Sequence, residues 1–209
     1  MTCTGNTAAI RTPVLIELAC RDSVSGLHIF IMAHWRYLKR NKELSLNFTP
    51  RDILVFKATC LDVTPQMAND SASEASLNLY NENGDITLRM AFQAGEKEII
   101  CHDHASKFIF GDGWGKGRRT NLEPFLQKMK WQPVRILVRA FWTESRTIRY
   151  QILFDLTTVC YFDSRFPGPA TRITYRQFGG KFQLQEVLEV ACFKFSDLQP
   201  EERQAIESG

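Results

Sequence analysis

The segment from Ser76 to Phe92 reads S-L-N-L-Y-N-E-N-G-D-I-T-L-R-M-A-F. From Asp85 onward the chain alternates. Ile86, Leu88, Met90 and Phe92 point one way, and Thr87, Arg89, Ala91 and Gln93 point the other. A period of two is the signature of a strand with one buried and one polar face. Asn83-Gly84 precedes the run, and both residue types tolerate positive φ, which makes the pair a strong hairpin signal. Ser76 to Tyr80 is then the partner strand.

The same pattern spreads outward from this hairpin. Val134, Ile136, Val138 and Ala140 alternate with Arg135 and Arg139, and Ile148, Tyr150, Ile152 and Phe154 form another inward set. Asp52 to Cys60, Glu98 to His102, Val159 to Phe162, Arg172 to Tyr175 and Leu188 to Phe195 are further strand candidates. Ala94-Gly95, Pro167-Gly168-Pro169 and Gly179-Gly180 punctuate them. Many short strands with regular turns predict an all-β, antiparallel two-sheet sandwich or barrel. Fifteen Phe, five Tyr and four Trp agree with that class. Helix signals are short, at Glu123 to Met129 and Pro200 to Ile206, the latter with Ser196-Asp197 as cap.

With 209 residues, 44% hydrophobic and 23% charged, the chain has ordinary globular composition and the length of one domain. Disorder, collagen and coiled coil are excluded. The longest apolar run, Leu27 to Ala33, is interrupted by His28 and is far short of the roughly 20 residues of a membrane span. Residues 1–42 lack the period-two pattern and are expected to be an extension, partly disordered or helical over Leu27 to Leu38. The cations Arg36, Lys39, Arg40 and Lys42 follow the apolar stretch instead of preceding it, so no secretion signal is read. The sandwich is expected over 43–196, with a tail over 197–209.

Net charge is only +3, yet Gly115 to Lys181 holds thirteen Lys/Arg against four Asp/Glu. Such a region either is a solvated face or meets polyanions. None of the six cysteines forms a C-x-x-C pair, so zinc-ribbon and thioredoxin readings fail. Cys60, Cys101, Cys160 and Cys192 lie in apolar strand candidates and are expected as buried free thiols, which suit a reducing compartment. No G-x-S-x-G elbow, P-loop or dinucleotide fingerprint is present. His102 and His104 share a strand face, but two ligands do not make a metal site. No acid/base carboxylate pair is visible, and neither an enzyme, a cofactor nor a metal is expected.

Trp114 stands within four glycines, at 111, 113, 115 and 117, and precedes Arg118-Arg119. An exposed indole offers a flat apolar surface on which the C–H face of a pyranose stacks, while Arg, His and Gln bind its hydroxyls. The other reading is an indole folded into the core.

These strings, taken in order, resemble the fungal galectins. L-N-L-Y-N-E-N-G-D-I-T-L-R-M-A-F, E-K-E-I-I-C-H, W-G-K-G-R-R, R-Y-Q-I-L-F-D, V-C-Y-F and L-E-V-A-C-F-K-F are similar to successive galectin strands, with Leu44 to Val63 as the first. The resemblance implies a galectin/concanavalin-like jelly roll and a β-galactoside-binding lectin. It implies cytoplasmic synthesis with unconventional export to the extracellular space or cell wall, and frequent homo-oligomers. It places the sugar-binding residues at Arg89, Gln93, His102, Trp114 and Arg119. The family's His-x-Asn/Ser-x-Arg is here Arg89, Ala91 and Gln93. Its galactose-contacting Asn is His102, and the Glu after the Trp is Gly117. Without that Glu, Arg119 is expected to lack a carboxylate and, with Arg89, to concentrate positive charge. That surface would favour an anionic or N-acetylated glycan over lactose. Three functions stand open: a lectin of altered specificity, a galectin-like protein-interaction module without sugar binding, and a polyanion binder. Nucleic acid is not the expected partner.

Overall fold

The computed structural model describes residues 34–59, 61, 74–93, 96–106, 113–125, 133–178 and 184–208. Among the described residues there are twelve strands, running β1 Arg36–Lys39, β2 Lys42–Phe48, β3 Asp52–Ala58, β4 Glu74–Tyr80, β5 Ile86–Gln93, β6 Glu98–His104, β7 Arg118–Asn121, β8 Val134–Trp142, β9 Ile148–Phe154, β10 Thr157–Ser164, β11 Ala170–Phe178 and β12 Val187–Lys194. They form two antiparallel six-stranded sheets, β1-β12-β3-β8-β9-β10 and β2-β11-β4-β5-β6-β7. The fold is therefore an all-β two-sheet sandwich.

Alternation fills the space between the sheets. Leu77, Leu79, Leu88, Met90 and Phe92 of the second sheet meet Phe56, Ile136, Val138, Tyr150, Ile152 and Phe154 of the first. Phe92 stacks against Phe154 with centroids 6.4 Å apart, and Phe48 against Tyr150 at 6.3 Å. Thr87 departs from the polar face that alternation predicts. A register shift in β5 between Ile86 and Arg89 turns it inward, where its buried hydroxyl receives the Tyr150 hydroxyl at 3.0 Å. The turn before β5 uses the Asn81 side-chain oxygen, which accepts from the N–H groups of Asn83 and Asp85. Only Gly84, at φ 84°, takes the left-handed conformation there.

The boundary expected at residue 43 is corrected. Arg36–Lys39 is a strand, not a helix, and pairs with β12 from Arg36↔Val190 to Lys39↔Val187. Leu38 is fully buried in the main core. The sequence hid this strand because it is short, at the sheet edge, and exposed at every position but Leu38. The single first strand expected over Leu44 to Val63 is two strands, β2 and β3, in different sheets. Residues 27–33, Cys60, Val63 and most of the Glu123 to Met129 helix lie outside the described residues.

The tail carries a helix, α1 Pro200–Ser208. Ser196-Asp197 does not cap it. Gln199 does, its N–H reaching the Glu202 carboxylate at 3.0 Å, with proline at the first helical position. Leu198 and Ile206 join Ile53, Val55, Leu137, Leu153 and Phe193 in a second, smaller core on the outer face of the first sheet. Cys101 and Cys160 are buried free thiols, but Cys192 is exposed.

Candidate functional site

Strand register sets three rows across the outer face of the second sheet. Thr174, Asn78, Arg89 and His102 lie side by side on β11, β4, β5 and β6. Arg176, Ser76, Ala91, Ile100 and Arg119 form the next row, extended onto β7. Phe178, Glu74, Gln93, Glu98 and Asn121 form the third. Their strand neighbours Leu77, Met90 and Cys101 are in the core, so these side chains face away from it.

Trp114 comes over the first row from the loop before β7. Its ring lies 4.4 Å from that of His102, at 21° between planes, and 4.4 Å from that of His104. The Arg89 guanidinium carbon is 5.2 Å from the indole centroid. The ring is partly buried and outside the sandwich core. Burial and the neighbouring Arg89 charge pull the His102 pKa down to about 4, with His104 and Arg119 adding to the effect and Asp103 opposing it. His102 is thus a neutral imidazole at neutral pH.

The backbone on either side of Trp114 is tied to one ion pair. Asp103, 1% exposed, points inward between the two histidines. Its carboxylate accepts from the Arg165 backbone N–H at 2.8 Å and from Arg165 Nε at 2.8 Å, and Nη2 stands 2.7 Å away. Arg165 Nη2 also donates to the Gly113 carbonyl at 3.1 Å, and the Gly115 N–H donates to the Asp103 carbonyl at 2.9 Å. Gly113 has φ 74°. A Cβ on Gly115 would overlap Asp103 Oδ1 and lie 2.9 Å from Arg165 Nε. Both positions therefore require glycine.

The expected concentration of positive charge does not form. Arg89 is paired with Glu74, and Arg119 with Glu96 at 2.7 Å and Glu98 at 3.2 Å. Carboxylates from neighbouring strands take the place of the missing one at Gly117, which sequence spacing along one strand could not show. More broadly, among the described residues six of the ten cations between 115 and 181 have carboxylate partners, so the described part of this half is no uniform basic patch. A cleft of about 1120 Å³ opens elsewhere, with Arg51, Arg139, Lys194, Arg203 and Trp142 among its lining residues. Glu207 and Asp52 pair with Arg139 and Lys194 there.

Of the five expected site residues, the structure gathers Arg89, His102 and Trp114. Gln93 lies two rows away beside Glu74 and Glu98, and Arg119 is exposed and held by Glu96 and Glu98. Sequence reasoning missed Asn78 and Ser76, which look like ordinary strand positions, and Arg165, which is remote in sequence. Ser76 Oγ, Asn78 Oδ1, Arg89 Nε and His102 Nε2 are buried and have no hydrogen-bond partner among the described residues. His102 and His104 pack on the indole, and among the described residues no cluster of three or more His, Cys, Asp or Glu is placed to hold a metal ion.

No family profile matches the chain. Solved structures do. Sheep galectin-11, in complex with glycerol, superposes with a TM-score of 0.51 at 19% identity, over 75% of this chain and 99% of that one. The chain has the galectin fold. A variant of human galectin-16 gives a TM-score of 0.52 at 14% identity, over 76% and 98% of the two chains. The Caenorhabditis elegans galectin LEC-6 gives 0.50 at 14%, over 75% and 95%. The galectin-like portion thus spans nearly the whole of each neighbour.

Proposed function

We propose that this protein is a non-catalytic, galectin-type lectin that holds a glycan against Trp114 on the outer face of β4, β5 and β6. The observation that carries the reading is the set of four buried polar atoms, on Ser76, Asn78, Arg89 and His102, that have no hydrogen-bond partner among the described residues, on a face where Arg89 and His102 lie against an indole. An unmet buried polar group costs about 1–3 kcal/mol. A hydroxyl-rich ligand that moves the covering side chains aside supplies partners to several at once. Asn78 offers an acceptor there, Arg89 Nε a donor, and Ser76 and neutral His102 add hydroxyl and imidazole groups. The galectin fold adds its weight as analogy.

Specificity is moved away from plain β-galactosides. Ala91 brings no hydrogen bond to the position where a galectin has Asn or Ser, and Arg119 is engaged by Glu96 and Glu98. Because Arg89 also has its own carboxylate, an anionic glycan must displace ion pairs, so neutral N-acetylated glycans fit better. Cytoplasmic synthesis with unconventional export, and homo-oligomers that turn weak sites into avidity, accompany this reading.

A second reading is a galectin-like protein-interaction module that no longer binds sugar. The observation favouring it is that His102 covers one side of the indole and Glu74 takes Arg89. Calorimetric titration with lactose and N-acetyllactosamine separates the two. The lectin reading expects lactose to bind weakly or not at all. It expects partial recovery when Arg89→His, Ala91→Asn, Gln93→Arg, His102→Asn and Gly117→Glu are combined. A Cβ at residue 117 meets Ile100 Cγ2 at an ordinary 3.4 Å, so that variant is sterically permitted. Micromolar lactose binding by the unmodified protein would refute the specificity argument.

A further inference from the structure

We propose that Asp103 and Arg165 are positioning residues for Trp114: this ion pair fixes where the indole stands over His102, His104 and Arg89, and so sets the affinity of the glycan face. The role in affinity rests on the lectin reading above; the placement of the ring does not. Three structural facts converge on it. Of the residues flanking Trp114, Gly113 is bonded to the pair itself, its carbonyl accepting from the Arg165 guanidinium, while the Gly115 N–H reaches the main-chain carbonyl of Asp103. A second bond, from the Ala105 N–H to the Gly113 carbonyl at 3.1 Å, ties the same loop to the end of β6. Finally, Gly115 lies so close to the pair that no side chain is accommodated.

The arrangement links two distant parts of the chain. Asp103 belongs to β6, whose neighbouring residues His102 and His104 carry the rings that Trp114 touches. Arg165 lies just after β10, in the connection that crosses from the first sheet to the second. Its guanidinium reaches the loop carbonyl and the carboxylate together, as only a forked donor does. A buried ion pair is weak evidence for net stability, since desolvation offsets much of the attraction. Its value here is geometric. With the fork in place, the Gly113 carbonyl is held by Arg165 as well as by β6; without it, the loop loses that anchor and keeps its main-chain bridge to β6.

The test uses the full-length protein and two readouts. Arg165→Gln removes the charge and the fork while leaving the backbone N–H that serves Asp103; Arg165→Lys keeps a charge beside the buried carboxylate without the fork, so the test does not depend on Arg165→Gln being stable. The first readout is the His102 titration followed by NMR, which needs no ligand. His102 is expected to rise from about 4 by at least about one unit toward its ordinary value near 6.5 in Arg165→Gln, with Arg165→Lys between. The second readout is N-acetyllactosamine affinity, or that of the best array glycan, expected to fall at least about tenfold, equivalent to 1.4 kcal/mol. An unchanged His102 titration in both variants overturns the positioning role. If the unmodified protein binds no glycan while His102 still shifts, the lectin reading fails and the positioning role stands.

Discussion

Gly115→Ala is the smallest perturbation that reaches the centre of the site. The added Cβ overlaps Asp103 Oδ1 and crowds Arg165 Nε at 2.9 Å. Both belong to a carboxylate–guanidinium pair whose acid is 1% exposed. Neither atom is the free end of a flexible chain. Asp103 is held by three Arg165 contacts, so relief requires the pair to separate or the loop to withdraw. Separating a buried pair costs about 3–5 kcal/mol. Withdrawal loses the Gly115–Asp103 and Gly113–Arg165 bonds, about 0.5–1.5 kcal/mol each for neutral bonds and more where a charge is involved. The expected loss is therefore about 2–5 kcal/mol, with a fall in Tm of roughly 4–20 °C for a chain this size. Gly117→Ala is the matched control, because its Cβ meets only ordinary contacts, the nearest at 3.4 Å. It is expected to change stability by less than about 1 kcal/mol. Urea unfolding of both variants decides it. A Gly115→Ala variant as stable as Gly117→Ala would show that the loop does not pack against the pair, and the site geometry would fall with it.

Other expectations follow from the same contacts. Deleting residues 1–33 should leave the described sandwich cooperative, whereas deleting 1–41 removes β1 and the fully buried Leu38 and should cost at least about 2–5 kcal/mol by thermal or urea unfolding. His102 has its folded-state pKa lowered to about 4 against an ordinary 6.5, so the unfolded chain binds its proton first. Its contribution to stability is complete above about pH 6.5 and declines as the pH falls toward 4, and His102→Asn should remove that part of the pH profile in urea unfolding. The Cys192 thiol is pushed up to about 12 by burial and by the nearby Asp52 carboxylate. Although the residue is exposed, its alkylation at pH 8 should be much slower than that of a free cysteine, and Asp52→Asn should speed it.

The sandwich was legible because alternation is a local property. Ile86 to Phe92 and Val134 to Ala140 each state which side is core within a single strand. The register shift at Thr87 was not, because it depends on Tyr150 finding a partner across the core. β1 escaped notice because one buried residue in four carries no period. At the candidate site, the galectin resemblance and residue type pointed to Trp114, Arg89 and His102, which the fold brings together. Their electrostatics were not. Glu74 and Glu98 reach the two arginines across strand register, and Arg165 arrives from the other sheet. Such neighbours exist only once the chain is folded.

Glycan binding at Trp114 is the property on which the proposed function of this galectin-fold face turns. The most direct test is a glycan array probed in parallel with the unmodified protein and Trp114→Ala. The variant loses ring contacts with two histidines, worth about 0.5–1.5 kcal/mol each, and so stays folded, as its far-ultraviolet circular dichroism will report. The unmodified protein is expected to bind a defined set of neutral, N-acetylated glycans that does not include lactose, and Trp114→Ala is expected to lose every signal. Signals that persist unchanged in the variant, or an array on which the unmodified protein binds nothing, would contradict the proposed function.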